Sequence, residues 1–365
     1  MRYSLVGVVQ RSPGAGGRGD EPALVGLDFP RPPGHSVAGR CRSGPYGSAG
    51  EDALVSAYLV KRLLVAVPTV LAVLVVTFLL MHAAPGDPVT TLLGDRSVTA
   101  QERAQLEHEA GLDRALPIQF LGYLVRFARG DLGRVFGTRR LIADELRDRL
   151  PNTAALALAA VILAGVLGVT TGVVSAYWRN SLADAAFRVL TFFCISAPVF
   201  WFGLMLIVVF ALTLGWLPAA GSDTWAHLIL PALALGLRPA AFIARVTRST
   251  MLDALGENYV LTARAKGLSE RAVVLKHALR NVALPVVTVI AGDLGSLMGG
   301  TVITETVFGF VGLGAFAVEA ILNRWYAAIM AVAMLWAVIF VAVNLLVDLL
   351  YVVLDPRVRL AGEEG

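Results

Sequence analysis

Hydrophobic positions along this chain fall in long blocks separated by short polar connections, where a soluble amphipathic protein would show periodic stripes. Crossing the hydrocarbon of a bilayer takes about 20 apolar residues. Six segments come to about that length: Leu63–Met81, Thr153–Tyr177, Val189–Leu214, Leu228–Val246, Val282–Ile303 and Ala327–Val353. In lipid a helix satisfies its own backbone groups, so the pattern predicts an all-α polytopic membrane protein with six transmembrane helices. Trp178, Trp216, Trp225 and Trp325 stand at or just outside the span ends, where an amphipathic ring prefers the headgroup level.

The short connections set the orientation. Lys61 and Arg62 precede the first span, Arg179 and Arg188 lie between the second and third, and Arg264, Lys266, Arg271, Lys276 and Arg280 lie between the fourth and fifth. The connections Gly215–Ala226 and Glu305–Tyr326 contain only Arg324. Excess Lys and Arg mark the cytoplasmic side, so both termini and the basic loop are expected in the cytoplasm of a multi-pass protein of the cytoplasmic (inner) membrane. The long connection 84–150, with ten Arg against ten acidic residues, falls outside. It reads as a helical extracytoplasmic loop. Thr99 with Glu102 fits a capping box opening a helix that ends near Gly111, and Pro117 opens another with Phe120, Leu121, Leu124 and Phe127 on one stripe, closed at Gly130. A third piece, "RRLIADELRDRLP", is an amphipathic lead-in to the second span.

Composition adjusts this picture only at the ends. The first fifty residues hold 11 Gly and 6 Pro without a sustained period, so residues 1–55 are expected to be a disordered extension or the product of a start codon set too far upstream. Nothing there has the apolar core of a signal peptide. The expected divisions are this extension, the first helix over 56–83, the loop 84–150, a transmembrane core 151–359 containing a cytoplasmic loop 251–281, and a tail 360–365. Net charge is only +4, and the loop Met251–Asn281 carries 5 Lys/Arg against 3 acidic residues, too sparse a face for nucleic acid. Cys41 and Cys194 make no disulfide framework, and the five histidines are too scattered for a metal cluster. No G-x-x-x-x-G-K-[ST] loop occurs, so the chain supplies no ATP site of its own.

Between the fourth and fifth spans lies "TARAKGLSERAVVLKHALRNVALP", two helical pieces broken at Gly267, with Ser269 placed to cap the second. A solvated basic loop accounts for the charges but not for this conformation. The stretch "ENYVLTARAKGLSERAVVLKHALRNVALP" resembles the cytoplasmic coupling loop of inner-membrane permease subunits of ATP-binding-cassette importers, in the dipeptide/oligopeptide/nickel family. Further matches in order are "APGDP", "GLDRALPIQFLGYLVRFARGDLGR", "RLPNT", "SAPVF", "HLILPALALGL", "ETVFGFVGLG" and "NLLVDLLYVVLDPRVR", so the resemblance runs from about Tyr58 to Arg359. It implies a non-catalytic importer subunit for short peptides, with nickel or another small solute as the alternative cargo. It also implies a second homologous permease, two ATPase subunits holding ATP and Mg, an extracytoplasmic solute-binding protein and surrounding membrane lipid as partners. Carried over by position, Thr262, Ala263, Arg264, Ala265, Lys266, Gly267, Leu268 and Ser269 would contact the ATPase. Many importers place Glu-Ala-Ala six residues before the Gly; here the chain reads Leu261-Thr262-Ala263.

Two charges fall inside the spans. Arg238 and Asp293 each lie about eleven residues, roughly 16 Å, from the outer ends of adjacent antiparallel spans. Charges at that depth pair, line a watery path or meet a partner subunit, and the sequence leaves all three open. Gly292, Gly295, Gly299 and Gly300 recur on the same span and predict close helix packing. A proton-coupled secondary transporter would carry internal repeats and several buried carboxylates, which this sequence does not display.

Overall fold

The computed structural model describes residues 48–83, 113–135 and 140–354, with isolated positions at Thr99, Gln101, Ala104 and His108. The chain divides into units Met1–Asp52 and Ala53–Gly365, and the architecture below is that of the second. The expected disordered extension and the capping box at Thr99 and Glu102 lie largely outside the described residues.

Helix α1 (Ser48–Ala83) carries the first span and is followed by α2 (Leu116–Ala128). Helix α3 (Ile142–Tyr177) runs unbroken through Pro151, so the amphipathic lead-in and the second span are one 36-residue rod. Next come α4 (Leu182–Ser196) and α5 (Val199–Leu206), the latter continued by wider turns over Ile207–Thr213. Helix α6 (Ala226–Leu255) is the fourth span, α7 (Asn258–Ala265) opens the loop, and α8 (Leu279–Val307) is the fifth. A short α9 (Leu313–Leu322) precedes the last span, α10 (Tyr326–Leu354). Among the described residues, five helices have the length and apolarity to cross a membrane. The α4/α5 pair makes a sixth if counted as one span.

That pair departs from the single straight span expected over Val189–Leu214. The two helices meet at 109°, and the break falls in "SAPVF". Ala197 is extended (φ −80°, ψ 142°) because the ring of Pro198 disfavours helical geometry in the residue before it, and Pro198 begins the next helix without needing an N–H. Phe193 packs edge-on against Trp201 and Phe202 at 5.7 and 5.8 Å, filling the inside of the elbow.

The most extensive helix contact is between α3 and α6, and its cause is a row of small residues. Ala160, Ala164, Gly168, Gly172 and Ala176 recur every fourth position on α3, giving one small-residue ridge along the helix. A Cβ on Gly172 would lie 2.6 Å from Thr247 Cβ and 2.7 Å from the Ala244 carbonyl, so only glycine lets the backbones come this close. A polar lock closes one end of the same interface. Asp184 on α4 is fully buried, accepts from Arg248 Nε and Nη2 at 2.8 and 2.9 Å, and accepts from Ser175 Oγ at 2.6 Å.

Helix α2 packs on the other end of the bundle. Tyr123 and Phe127 are buried with Phe120 and Leu124 beside them, against Phe78 of α1 and Phe316 of α9. Leu121, placed on that stripe by the sequence, is instead exposed. The buried stripe takes Tyr123 in its place, whose phenol ring receives the Arg126 guanidinium at 4.8 Å.

Candidate functional site

The loop between α6 and α8 is built around its own small core. Val260 and Ala263 of α7 bury against Val273, with Leu255 at the edge. Helix α7 stops because Gly267 adopts φ +76°, a region that only glycine enters freely. Around that turn Gly267 N donates to the Arg264 carbonyl at 2.9 Å and Leu268 N donates to the Ala263 carbonyl at 3.4 Å, the paired bonds of a Schellman ending. Ser269 then caps the following turn, its Oγ accepting from Ala272 N. Arg264 Nε donates to Glu270 Oε1 at 2.8 Å across the turn, which fixes the angle between the two pieces.

The eight predicted loop residues do not all share one role. Thr262, Arg264, Ala265, Lys266, Gly267, Leu268 and Ser269 are exposed together on the rim. Ala263 is turned inward to the loop core. The guanidinium of Arg264 is engaged with Glu270. Sequence reading missed Tyr259 and Leu261, apolar side chains left exposed one helical turn upstream; the signal was an apolar residue, Leu261, preceding the small residues of a polar helix. Leu268, beyond the turn, is also exposed.

Arg238 and Asp293 sit on the packed pair α6 and α8 but form no ion pair within 4.0 Å. The Arg238 side chain is exposed in the single chain. Asp293 Oδ2 is buried and accepts no hydrogen bond from the described residues. On α8, Gly295 lies against Val343 and Asn344 of α10, whereas Gly292 and Gly299 face open space.

A second polar centre was not legible as a unit. Glu305, at the end of α8, is fully buried. Its Oε2 accepts from the Ala315 backbone N–H at 2.9 Å, in the first turn of α9, and its Oε1 accepts from Thr153 Oγ1 at 2.8 Å. Thr153 Oγ1 in turn accepts from Leu313 N at 2.8 Å, and Asn152 Nδ2 donates to the Val311 carbonyl at 2.7 Å. A carboxylate at a helix N-terminus satisfies orphan N–H groups and the positive end of the helix dipole together. The glycines of "FVGLG" make the approach feasible, since a Cβ on Gly312 would lie 2.5 Å from the Glu305 carboxyl carbon. Thus "RLPNT" and "ETVFGFVGLG", far apart in sequence, are two halves of one latch between α3, α8 and α9.

Residues 168–360 match the family described as binding-protein-dependent transport system inner membrane component, and residues 55–157 match its N-terminal companion. The chain is 41% identical over 302 residues to the glutathione transport system permease protein GsiC of Escherichia coli O6:H1, covering 83% of this chain and 98% of that protein. The GsiC proteins of Salmonella typhi and Pectobacterium atrosepticum match at the same 41% and the same coverage. Among solved structures, the MetNI methionine ABC transporter in an inward-facing conformation aligns at 20% identity with a TM-score of 0.48, over 57% of this chain and 96% of that chain. The family matches, in order along almost the whole described chain, and the identity to full-length relatives lead to one assignment: this chain belongs to the permease subunits of binding-protein-dependent ABC importers, in the dipeptide/oligopeptide/nickel family.

Proposed function

We propose that the chain carries short peptides, including glutathione-like tripeptides, inward across the cytoplasmic membrane, and that the loop from Thr262 to Ser269 transmits ATP-driven motion to the spans. As a permease subunit it is non-catalytic, and ATP hydrolysis belongs to partner subunits. The observation that supports the coupling role is the loop itself, a capped turn with exposed apolar side chains on it, tied directly to α6 and α8. A protein gripping Tyr259, Leu261 and Leu268 moves both helices as one lever.

The working assembly in this reading contains a second homologous permease, two ATPase subunits holding ATP and Mg, and an extracytoplasmic solute-binding protein. Both termini and the loop face the cytoplasm, on the strength of the charge bias in the short connections. Helices α6 and α8 carry Arg238 and Asp293 toward the path between the two permeases. There the exposed Arg238 suits a peptide carboxylate, and Asp293, whose Oδ2 has no donor among the described residues, suits a peptide amine. Peptide cargo is supported by the glutathione permeases that this chain resembles along their length.

The test is uptake of a labelled dipeptide, labelled glutathione and radioactive nickel in the native host, with and without this gene. Loss of peptide or glutathione uptake with nickel uptake intact is expected. Intact uptake of both peptides refutes the cargo assignment.

A further inference from the structure

We propose that a cleft between α3, α4 and α6 binds a phosphate group, and that the phosphate belongs to an anionic lipid headgroup at the cytoplasmic face. The inference rests on the orientation proposed above, which puts the α3–α4 connection in the cytoplasm.

The cleft encloses about 380 Å³ and is lined by Arg188, Arg245 and Arg248, with hydroxyls including Ser175 among them and the rings of Phe187 and Phe192 on its wall. Three arginines line one cavity, and Asp184, which pairs with Arg248 and is approached by Arg188, is fully buried. The net local charge is therefore positive, three arginines against one carboxylate. Asp184 also orients the site. It takes Nε and Nη2 of Arg248, so Nη1 stands outside the pair. Arg245 makes no ion pair among the described residues, and Arg188 approaches Asp184 only at 3.8 Å, so both retain donors for a ligand. Guanidinium groups match phosphate oxygens in geometry as well as charge, and basic pockets between spans at the cytoplasmic face suit anionic headgroups. Next to the cavity, Phe192 and Val189 present exposed apolar surface along which an acyl chain can lie.

The experiment uses the complete purified transporter, titrated with a short-chain phosphatidylglycerol and, separately, with inorganic phosphate, binding being read by calorimetry. Wild type is expected to bind phosphatidylglycerol, with Arg245→Gln weakening it roughly fivefold and Arg188→Gln with Arg245→Gln roughly 25-fold. If inorganic phosphate binds with the same sensitivity and blocks the lipid, the site stands and its ligand is a soluble phosphate. Equal affinity in wild type and the double variant, in preparations that elute as intact complex, overturns the proposal, as does absence of binding of either probe to wild type. Sidedness is read independently from Arg179→Cys in a chain with Cys41 and Cys194 replaced by Ser, using an impermeant thiol reagent on intact cells. Labelling from outside overturns the orientation and leaves the phosphate site standing.

Discussion

Replacing Glu305 by Ala removes the acceptor for two buried donors at once, the Thr153 hydroxyl and the Ala315 N–H. A hydrogen bond to a charged group contributes about 1.5–3 kcal/mol, and a donor left buried without a partner forfeits its full hydration. Two such bonds, less some relaxation of the exposed Val311 segment, predict a loss of about 3–5 kcal/mol in the packing of α9 on α3 and α8. Glu305→Gln keeps one carbonyl oxygen for Ala315 N but presents an amide donor to Thr153, so it should lose only about 1–2 kcal/mol. Thr153→Val removes the other side of the latch, including the acceptor for Leu313 N. The assay is thermal melting of the assembled, detergent-purified transporter, followed by size-exclusion chromatography. The shift per kcal/mol shrinks as the cooperative unit grows, so Glu305→Ala should melt several degrees below wild type and the Gln variant closer to it. The combination Glu305→Ala with Thr153→Val should fall well short of the sum of the two single losses, because both remove the same bond. A Glu305→Ala transporter that melts with wild type, or strictly additive losses, would refute the latch.

Other outcomes follow from the same packing. Gly172→Leu drives a side chain into Thr247 and the Ala244 carbonyl, and should lower the amount of folded subunit in membranes several-fold on an immunoblot, while Gly122→Leu, where a Cβ meets nothing, should leave it unchanged. Asp184→Ala strands the Arg248 guanidinium and should cost about 3–5 kcal/mol, read as a lower melting temperature that Asp184→Glu recovers at most in part. Leu261→Ala with Leu268→Ala should release the ATPase subunits on affinity purification while the permease remains folded; full co-purification would argue against these exposed leucines as their seat.

Much of the architecture was legible because lipid leaves so few options. Long apolar blocks identify spans, and the Gly267 and Ser269 pair marks a helix ending and a helix beginning from local chemistry alone. The elbow at Ala197-Pro198 was written in the sequence too, but a proline within an apolar block is compatible with a kinked span as well as a broken one; the 109° angle is set by tertiary packing of Phe193, Trp201 and Phe202. The Glu305 latch and the Asp184 lock were not legible. Their partners lie 152 and 64 residues away, at Thr153 and Arg248, and nothing in local periodicity joins them. Arg238 and Asp293 illustrate the reverse limit: equal depth brought them to neighbouring helices without bringing their side chains into an ion pair.

The central claim is that motion passes through the loop, and it is tested most directly by measuring ATP hydrolysis and peptide uptake together in proteoliposomes containing the complete transporter with Gly267→Val. A β-branched residue at φ +76° is strained, so the turn must reshape. Retained ATP hydrolysis with peptide uptake reduced at least tenfold is the expected result; uptake and hydrolysis both at wild-type rates, in the same vesicles, would contradict it.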